Sequence, residues 1–178
     1  MNPVAKAYTQ GLYALARDEK VADTLLHQLQ ILREAFAELP TFCRLLAIPA
    51  LSKQERIGIV EQSFQGIVHP YVLNFLKLLT EQGCVDLFCQ CCDFFQQYYH
   101  RDNDLLPVRV VTASALTEEQ SVRLAEKMTV LTGKTVLLTS CIDPACLGGI
   151  RLEYGDKCID GTVKHRLDSM TAVLKNTC

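Results

Sequence analysis

The sequence has no basic excess, no long hydrophobic run and no export signal, and each absence disfavours a class of protein. Its 18 Lys and Arg residues face 20 Asp and Glu, for a formal net charge of −2, whereas nucleic-acid-binding surfaces are normally rich in Lys and Arg. No window approaches the ~18 consecutive apolar residues of a membrane span, and the N-terminal segment lacks the apolar core of a signal peptide. We therefore expect a soluble cytoplasmic protein that binds no nucleic acid.

Phosphate-binding motifs are absent as well. The adjacent Gly148 and Gly149 are the nearest candidate, but neither GxxxxGK[ST] nor GxGxxG occurs, and no helical pattern begins directly after the pair. Two glycines at the start of a strand more often indicate a positive φ or a close backbone approach. We interpret this pair as architecture.

Cysteine, by contrast, is abundant. There are nine, an odd number, and without an export signal we expect them to be reduced. The dense group is CVDLFCQCC, with Cys84, Cys89, Cys91 and Cys92. A zinc site usually pairs a CxxC knuckle with a second ligand pair, and this run lies in a helical pattern that points its cysteines in several directions. We interpret them as small buried hydrophobes and expect no metal and no cofactor.

An enzymatic interpretation would centre on residues 141–167, where Cys146 or Cys158 could act with His165 and Asp160. His165, however, falls on the polar side of the predicted terminal helix, while the cysteines lie in predicted strands or turns. Turn chemistry also explains the acidic residues, because Asp160-Gly161-Thr162 would end a strand and cap a helix. Spacing does not exclude this alternative, but we expect no catalytic residue.

The first hundred residues predict an all-α bundle of six helices. The first two helices each carry an apolar stripe at helical spacing, and Pro40 closes the second. The stripe of the first is Val4, Tyr8, Leu12 and Leu15, and that of the second is Val21, Leu25, Leu29, Leu32 and Phe36. A short third helix is predicted over residues 41–47.

Three further helices complete the predicted bundle. The fourth begins after Ser52, with Glu55 three residues on as a capping box. Pro70 lies in the tolerated first turn of the fifth, and Gly83 is placed to end it. The sixth carries an apolar stripe of Val85, Phe88, Cys92, Phe95 and Tyr99.

The pattern changes near residue 105, because VRVVTAS is short and rich in β-branched residues, as strands are. Thr117 and Gln120 form a second capping box, and Gly133 ends the helix that follows. TVLLTSCID and GGIRLEYGD are two further strands, GDKCIDG is a tight hairpin edge, and a terminal helix begins at Thr162. We predict two domains: a helical bundle over residues 1–105 and a small α/β domain over residues 106–178.

The predicted fifth helix is apolar on two sides. The first side consists of Val72, Phe75, Leu76 and Leu79. The second, about 120° away at about 100° per residue, consists of Tyr71, Asn74 and Leu78. A helix that is apolar on more than one face is buried on more than one face. Either its own chain surrounds it or it forms one wall of a groove for a partner, and the residues alone leave both open.

Four segments follow one another in a recognisable order. They are YTQGLYALA near the start, NFLKLLTEQG in the fifth helix, VVTASALTEEQ at the second domain and GKTVLLTSCIDPACLGGIRLEYGDKCIDGTV before the last helix. In this order and spacing they resemble the delta subunit of bacterial F-type ATP synthases, called the oligomycin-sensitivity conferring protein in mitochondria. The likeness covers essentially the whole chain.

Three positions depart from the family pattern, which commonly has alanine at the first two and serine at the third: Thr9, Gly11 and Thr162. Threonine still caps a helix. Glycine inside a helix costs about 1 kcal/mol relative to alanine, which close packing by a partner would explain at Gly11.

The resemblance implies a non-catalytic stator subunit that takes part in coupling proton flow to ATP synthesis. Family members bind the N-terminal helices of the alpha subunits in a groove between their first and fifth helices, and meet the C-terminal region of the b subunits through the second domain. The resemblance also implies membrane association only through the complex, at the cytoplasmic face of the bacterial membrane.

For the groove the resemblance implies six partner-binding residues: Tyr8, Gly11, Leu12, Leu15, Asn74 and Leu78. Two alternatives stay open at this point. One is a generic helical adaptor of another complex, and the other is a cysteine- or zinc-dependent enzyme.

Overall fold

The computed structural model describes residues 2–39 and 52–175. The chain divides into two compact units, residues 1–99 and residues 100–178. Within the described residues the first unit is all-helical, and the second combines a mixed sheet with helices. The division falls inside the helix that precedes the first strand.

The helices of the first unit follow the predicted order. They are α1 (Pro3–Asp18), α2 (Ala22–Glu38), α3 (Lys53–Phe64), α4 (Pro70–Glu81) and α5 (Phe88–Asp102), the last preceded by a 3₁₀ turn over Val85–Leu87. These correspond to the predicted first, second, fourth, fifth and sixth helices. The predicted third helix over residues 41–47 lies outside the described residues, so the count of six stays a prediction.

Local capping chemistry sets the helix ends, as the sequence predicts. The backbone N–H of Ser52 donates to the Glu55 carboxylate at 2.8 Å, and the N–H of Glu55 donates to the Ser52 hydroxyl at 3.3 Å. The Glu55 carboxylate accepts from both the backbone N–H and the hydroxyl of Ser52, and these two hydrogen bonds hold the pKa of Glu55 below its usual range. Pro70 begins α4, and Gly83 follows it with a φ of +66°, a conformation that favours glycine.

The core of the first unit is one cluster of buried side chains from all five helices. The predicted α2 stripe is confirmed, since Leu25, Leu29, Leu32 and Phe36 are all buried. At the centre the Phe95 ring meets Tyr13 edge to face, with centroids 5.3 Å apart. On α1 the core face differs from the predicted stripe and consists of Ala5, Thr9, Leu12, Tyr13 and Ala16.

Two of the nine cysteines act as small core residues of α5. The Cys91 thiol donates to the Ala5 carbonyl of α1, and the Cys92 thiol donates to the Leu29 carbonyl of α2. Burial raises the pKa of both thiols. The interpretation as buried hydrophobes is therefore confirmed for these two, but it is wrong for Cys89, which the helical period turns toward solvent. Among the described residues no group of three His, Cys, Asp or Glu side chains could hold a metal ion.

The second unit is built on a mixed sheet. Its elements are β1 (Leu105–Thr112), α6 (Glu118–Thr132), β2 (Thr135–Ile142), a 3₁₀ turn over Pro144–Cys146, β3 (Ile150–Tyr154), β4 (Lys157–Asp160) and α7 (Val163–Lys175). In the described residues the strand order is β2-β1-β3-β4, so β2 and β4 form the two edges. β1 and β2 run parallel and are joined through α6, while β3 and β4 complete the sheet in antiparallel pairings.

The core of the second unit lies between the sheet and α6, where Val108, Val110 and Leu152 pack against Met128. The second capping box is confirmed: the Gln120 N–H donates to the Thr117 hydroxyl at 3.3 Å, and the Thr117 N–H donates back to the Gln120 side chain at 3.0 Å. On α7 the apolar side chains of Val163, Leu167 and Met170 are exposed.

Turn chemistry accounts for the glycine- and aspartate-rich stretch before α7. The Asp160 carboxylate accepts hydrogen bonds from the hydroxyl and the backbone N–H of Thr162, which lower its pKa. The Thr162 hydroxyl in turn accepts from the His165 N–H, which caps α7. Gly149 has a φ of +81°, and a Cβ built there would lie 2.4 Å from the Gly161 carbonyl oxygen. The interpretation of Gly148 and Gly149 as structural residues is therefore confirmed at Gly149, which has both a positive φ and a close backbone approach.

Candidate functional site

An apolar groove of about 430 Å³ lies between α1 and α4. Its lining from α1 is Ala7, Tyr8, Gly11, Leu12 and Leu15, and its lining from α4 is Tyr71, Asn74, Phe75 and Leu78. All six residues predicted for partner binding are therefore brought together at one place in the first unit. Ala7 was not among the predicted site residues, and Phe75 was predicted only for the core.

The groove has a buried floor and exposed rims. Leu12 and Phe75 form the floor, are each 6% exposed and belong to the core cluster as well. Leu15 and Leu78 form the rims and are 53% and 38% exposed. Large apolar side chains exposed beside a concave apolar floor are typical of a surface that binds a partner.

The opposite sides of both helices are fixed, which holds the groove open. On α4, Val72, Leu76 and Leu79 are buried in the core, so the helix cannot rotate its second side inward without exposing its first. The Lys77 ammonium pairs with Glu61 of α3. On α1, Ala5, Thr9 and Ala16 are fully buried, and the Ala5 carbonyl accepts from the Cys91 thiol of α5.

The second apolar side of α4 faces the groove. In the part of the chain that the structure describes, Asn74 and Leu78 are exposed and Tyr71 is half-buried. The described residues do not surround α4 on this side, and the second side forms a wall of the groove. The same holds for the predicted α1 stripe, of which Tyr8, Leu12 and Leu15 all line the groove.

The chemistry of the groove suits binding. Its polar side-chain groups are the Tyr8 and Tyr71 hydroxyls and the Asn74 amide, set among aliphatic and aromatic carbon. Among the described residues, its lining contains no carboxylate, histidine or thiol, the groups most often used for acid–base or nucleophilic catalysis. An apolar ligand surface with one or two hydrogen-bonding groups would match it.

A second, smaller pocket tests the enzymatic alternative. It has a volume of about 160 Å³ in the second unit and brings together Cys146, Asp160 and His165, but not Cys158. The Cys146 thiol donates to the Asp143 carboxylate at 3.9 Å, a long contact, and not to His165 or Asp160. Asp160 is already occupied by Thr162.

Comparison with known proteins identifies the family of this chain. Residues 4–174 match the protein family described as the ATP synthase delta (OSCP) subunit. The chain belongs to this family. It is similar to the ATP synthase subunit delta of Geobacillus sp. (strain WCH70), with 27% identity and 93% of both chains covered. With the subunit delta of Lactobacillus gasseri it shares 30% identity, covering 94% of this chain and 92% of that protein.

The fold is also shared with a solved structure. A chain in the cryo-EM structure of the Toxoplasma gondii mitochondrial ATP synthase hexamer matches with a TM-score of 0.74 and 19% identity, covering 97% of this chain and 98% of that chain. At this identity the match shows the fold.

Membership of the delta (OSCP) family makes this chain a non-catalytic peripheral-stalk subunit of the ATP synthase. The enzymatic alternative is therefore wrong. The subunit is a peripheral component of a membrane-bound complex. Among the described residues, none of the helices combines the length and the apolar character needed to cross a bilayer.

Proposed function

We propose that the groove between α1 and α4 binds an amphipathic N-terminal helix of an alpha subunit, and that residues 106–178 bind the b subunits. The chain would then tie the catalytic head to the peripheral stalk at the cytoplasmic face of the bacterial membrane. It would hold the head still while the rotor turns, which couples proton flow to ATP synthesis.

The observation that carries this proposal is the exposure of Leu15 and Leu78 on either side of the floor made by Leu12 and Phe75. A helix with an apolar stripe covers such a groove through anchors at i, i+3, i+4 and i+7. About four anchors contribute roughly 6–12 kcal/mol gross, at about 1.5–3 kcal/mol for each buried side chain. Association entropy offsets about 4–15 kcal/mol of that gain, so a second attachment matters.

The second unit offers surfaces for that attachment. The exposed stripe of α7 carries Val163, Leu167 and Met170. A trough of about 730 Å³ between α6 and the β3–β4 hairpin is lined by Leu131, Ile159 and other residues. Two simultaneous attachments raise the overall avidity, because the second becomes intramolecular once the first has formed.

The test is a binding titration of the full chain with a synthetic peptide of the first twenty or so residues of the cognate alpha subunit. Leu78→Glu places a charge on the groove rim, and we expect it to weaken binding by about tenfold or more, since a carboxylate would be desolvated there. Because Leu78 is on the surface, circular dichroism should show the native helical content. Unfolding of this variant would mean that Leu78 belongs to the core.

Ile31→Glu is the matched control. Ile31 lies on α2, is 51% exposed and does not line the groove. The same chemical change there should leave peptide binding unchanged. If the wild-type chain is folded but does not bind the peptide, the proposed role of the groove is wrong.

A further inference from the structure

The groove walls repeat one four-residue spacing. On α1 the set Tyr8, Gly11, Leu12 and Leu15 lies at positions i, i+3, i+4 and i+7. On α4 the same spacing gives the set Tyr71, Asn74, Phe75 and Leu78. Four residues at these positions form the hole that receives one side chain, the knob, from a facing helix. We name these two sets the α1 hole and the α4 hole.

We propose that the helix bound in the groove inserts a bulky apolar side chain into the α1 hole and a hydrogen-bonding side chain into the α4 hole. This inference rests on the proposed function, because it concerns the helix that the groove binds. It adds which side chains that helix must carry. The two knobs would lie three or four residues apart, the separation at which neighbours share one face of a helix.

Gly11 leaves open space in the α1 hole. Among the described residues no atom outside its own helical turn lies within 4 Å of a Cβ built at Gly11. The missing side chain is therefore not required by packing within the chain, and its space opens into the groove. Side chains on a helix tilt toward the N-terminus, so this space lies over the turn that contains Ala7, itself small and exposed.

A glycine in a helix interior costs stability relative to alanine. A partner that uses the space of the missing side chain would explain the glycine at this position. The hole at Gly11 is bounded by the large side chains of Tyr8, Leu12 and Leu15, which would pack around a knob. A small knob would leave a void there, and voids in an interface forfeit dispersion contacts. A bulky apolar side chain fills the hole.

Asn74 gives the α4 hole its different character. It is exposed, and the structure describes no hydrogen bond from its side chain to another described residue. In the free chain water satisfies this amide. A helix covering the groove removes that water, and a buried amide without a partner is costly. The knob that meets Asn74 must therefore donate or accept a hydrogen bond.

The test compares Gly11→Ala with Gly58→Ala in the full chain. Gly58 lies in α3, outside the groove, and a Cβ built on it likewise has no described neighbour within 4 Å. Both substitutions favour the helix and should raise the thermal midpoint of unfolding. We expect Gly11→Ala to weaken binding of the alpha-subunit peptide by about tenfold through overpacking. Gly58→Ala should leave the affinity unchanged.

A peptide scan identifies the knobs. One bulky peptide position, when shortened to alanine, should weaken binding to the wild-type chain strongly but to Gly11→Ala only slightly. One polar position should couple in the same way to Asn74→Ala. Binding of the peptide to Gly11→Ala at wild-type affinity, or a scan without coupled positions, would overturn this inference while leaving groove binding intact. A peptide that fails to bind the wild-type chain would instead overturn the proposed function.

Discussion

The two units differ in how completely each buries its own apolar residues. In the first, one cluster draws buried side chains from every described helix, and the exposed apolar rims of the groove adjoin that cluster. In the second, the described buried cluster is small and consists of Val108, Val110, Met128 and Leu152. Its exposed large apolar side chains are Val122, Val130, Leu131, Leu137, Ile142, Leu147, Ile159, Val163, Leu167 and Met170.

The two units therefore depend on assembly to different degrees. A large described core stabilises the first unit, and an apolar groove suited to a partner lies beside it. A small core makes a small domain marginally stable, and a partner that binds only the folded form adds to its stability by mass action. We interpret the first unit as a preformed receptor and the second as a unit that its partners help to hold together.

The largest effect should come from Phe95→Ala in the first unit. Phe95 is fully buried and packs edge to face on Tyr13, and removal of such a ring costs about 3–5 kcal/mol of the free energy of unfolding. Hydrogen exchange on the full chain should show lost protection throughout α1 to α5. Equal loss of protection in the sheet would show that the units do not unfold independently.

Met128→Ala should destabilise the second unit by about 2–5 kcal/mol, since Met128 connects α6 to the sheet. Because its core is small, we expect this loss to unfold β1 to β4 under conditions where α1 to α5 keep their protection. The same hydrogen-exchange experiment measures both. Retained protection of the sheet would contradict the view of a marginal second unit.

Loss of the capping box, a motif that both units contain, should destabilise each unit by a smaller amount. Ser52→Ala in the first unit and Thr117→Ala in the second should each cost about 0.5–2 kcal/mol, since both remove an N-cap oxygen. The local costs are similar, but we expect the second unit to be the less stable one. Urea denaturation followed unit by unit should therefore show the larger loss of folded protein for Thr117→Ala. A larger loss for Ser52→Ala would reverse the proposed order of stability.

The smallest expected effect is on the stability of the second unit at acidic pH. The pKa of Asp160 is lower in the folded chain than in the unfolded chain because its carboxylate accepts hydrogen bonds from Thr162. Its stabilising contribution is thus present above about pH 4, the usual range of an aspartate pKa, and is lost as the pH falls through the lowered folded pKa. Asp160→Asn should flatten the acid limb of the second unit's stability curve, measured by circular dichroism against pH. An unchanged limb would mean that other carboxylates dominate.

The parts of this fold that follow local rules could be predicted from the sequence. Ser52 with Glu55 and Thr117 with Gln120 gave correct helix starts, because a capping box involves residues only three positions apart. The strands and the order of elements also followed from local pattern. The strand order was not predicted, since the placement of β1 between β2 and β3 depends on contacts between distant residues.

Side-chain size limited the prediction of the α1 core. Periodicity weighted the large residues Val4, Tyr8 and Leu15, whereas the structure buries the small Ala5, Thr9 and Ala16 and leaves the large ones at the groove or in solvent. Small residues allow close helix packing, a property of the pair of helices that one helix does not reveal. The six groove residues were predicted from the family resemblance. Ala7 could be assigned to the groove only from the structure, which shows both helices that form its walls.

One feature of the sheet bears on how the subunit must be handled before it reaches its complex. β2 forms an edge within the described chain, and TVLLTSCI from Thr135 to Ile142 contains neither charge nor proline, the usual guards against strand addition. A surplus copy therefore offers a template on which another copy can align. Synthesis in step with its partners would limit such self-association, and purification of the lone subunit should favour dilute solutions.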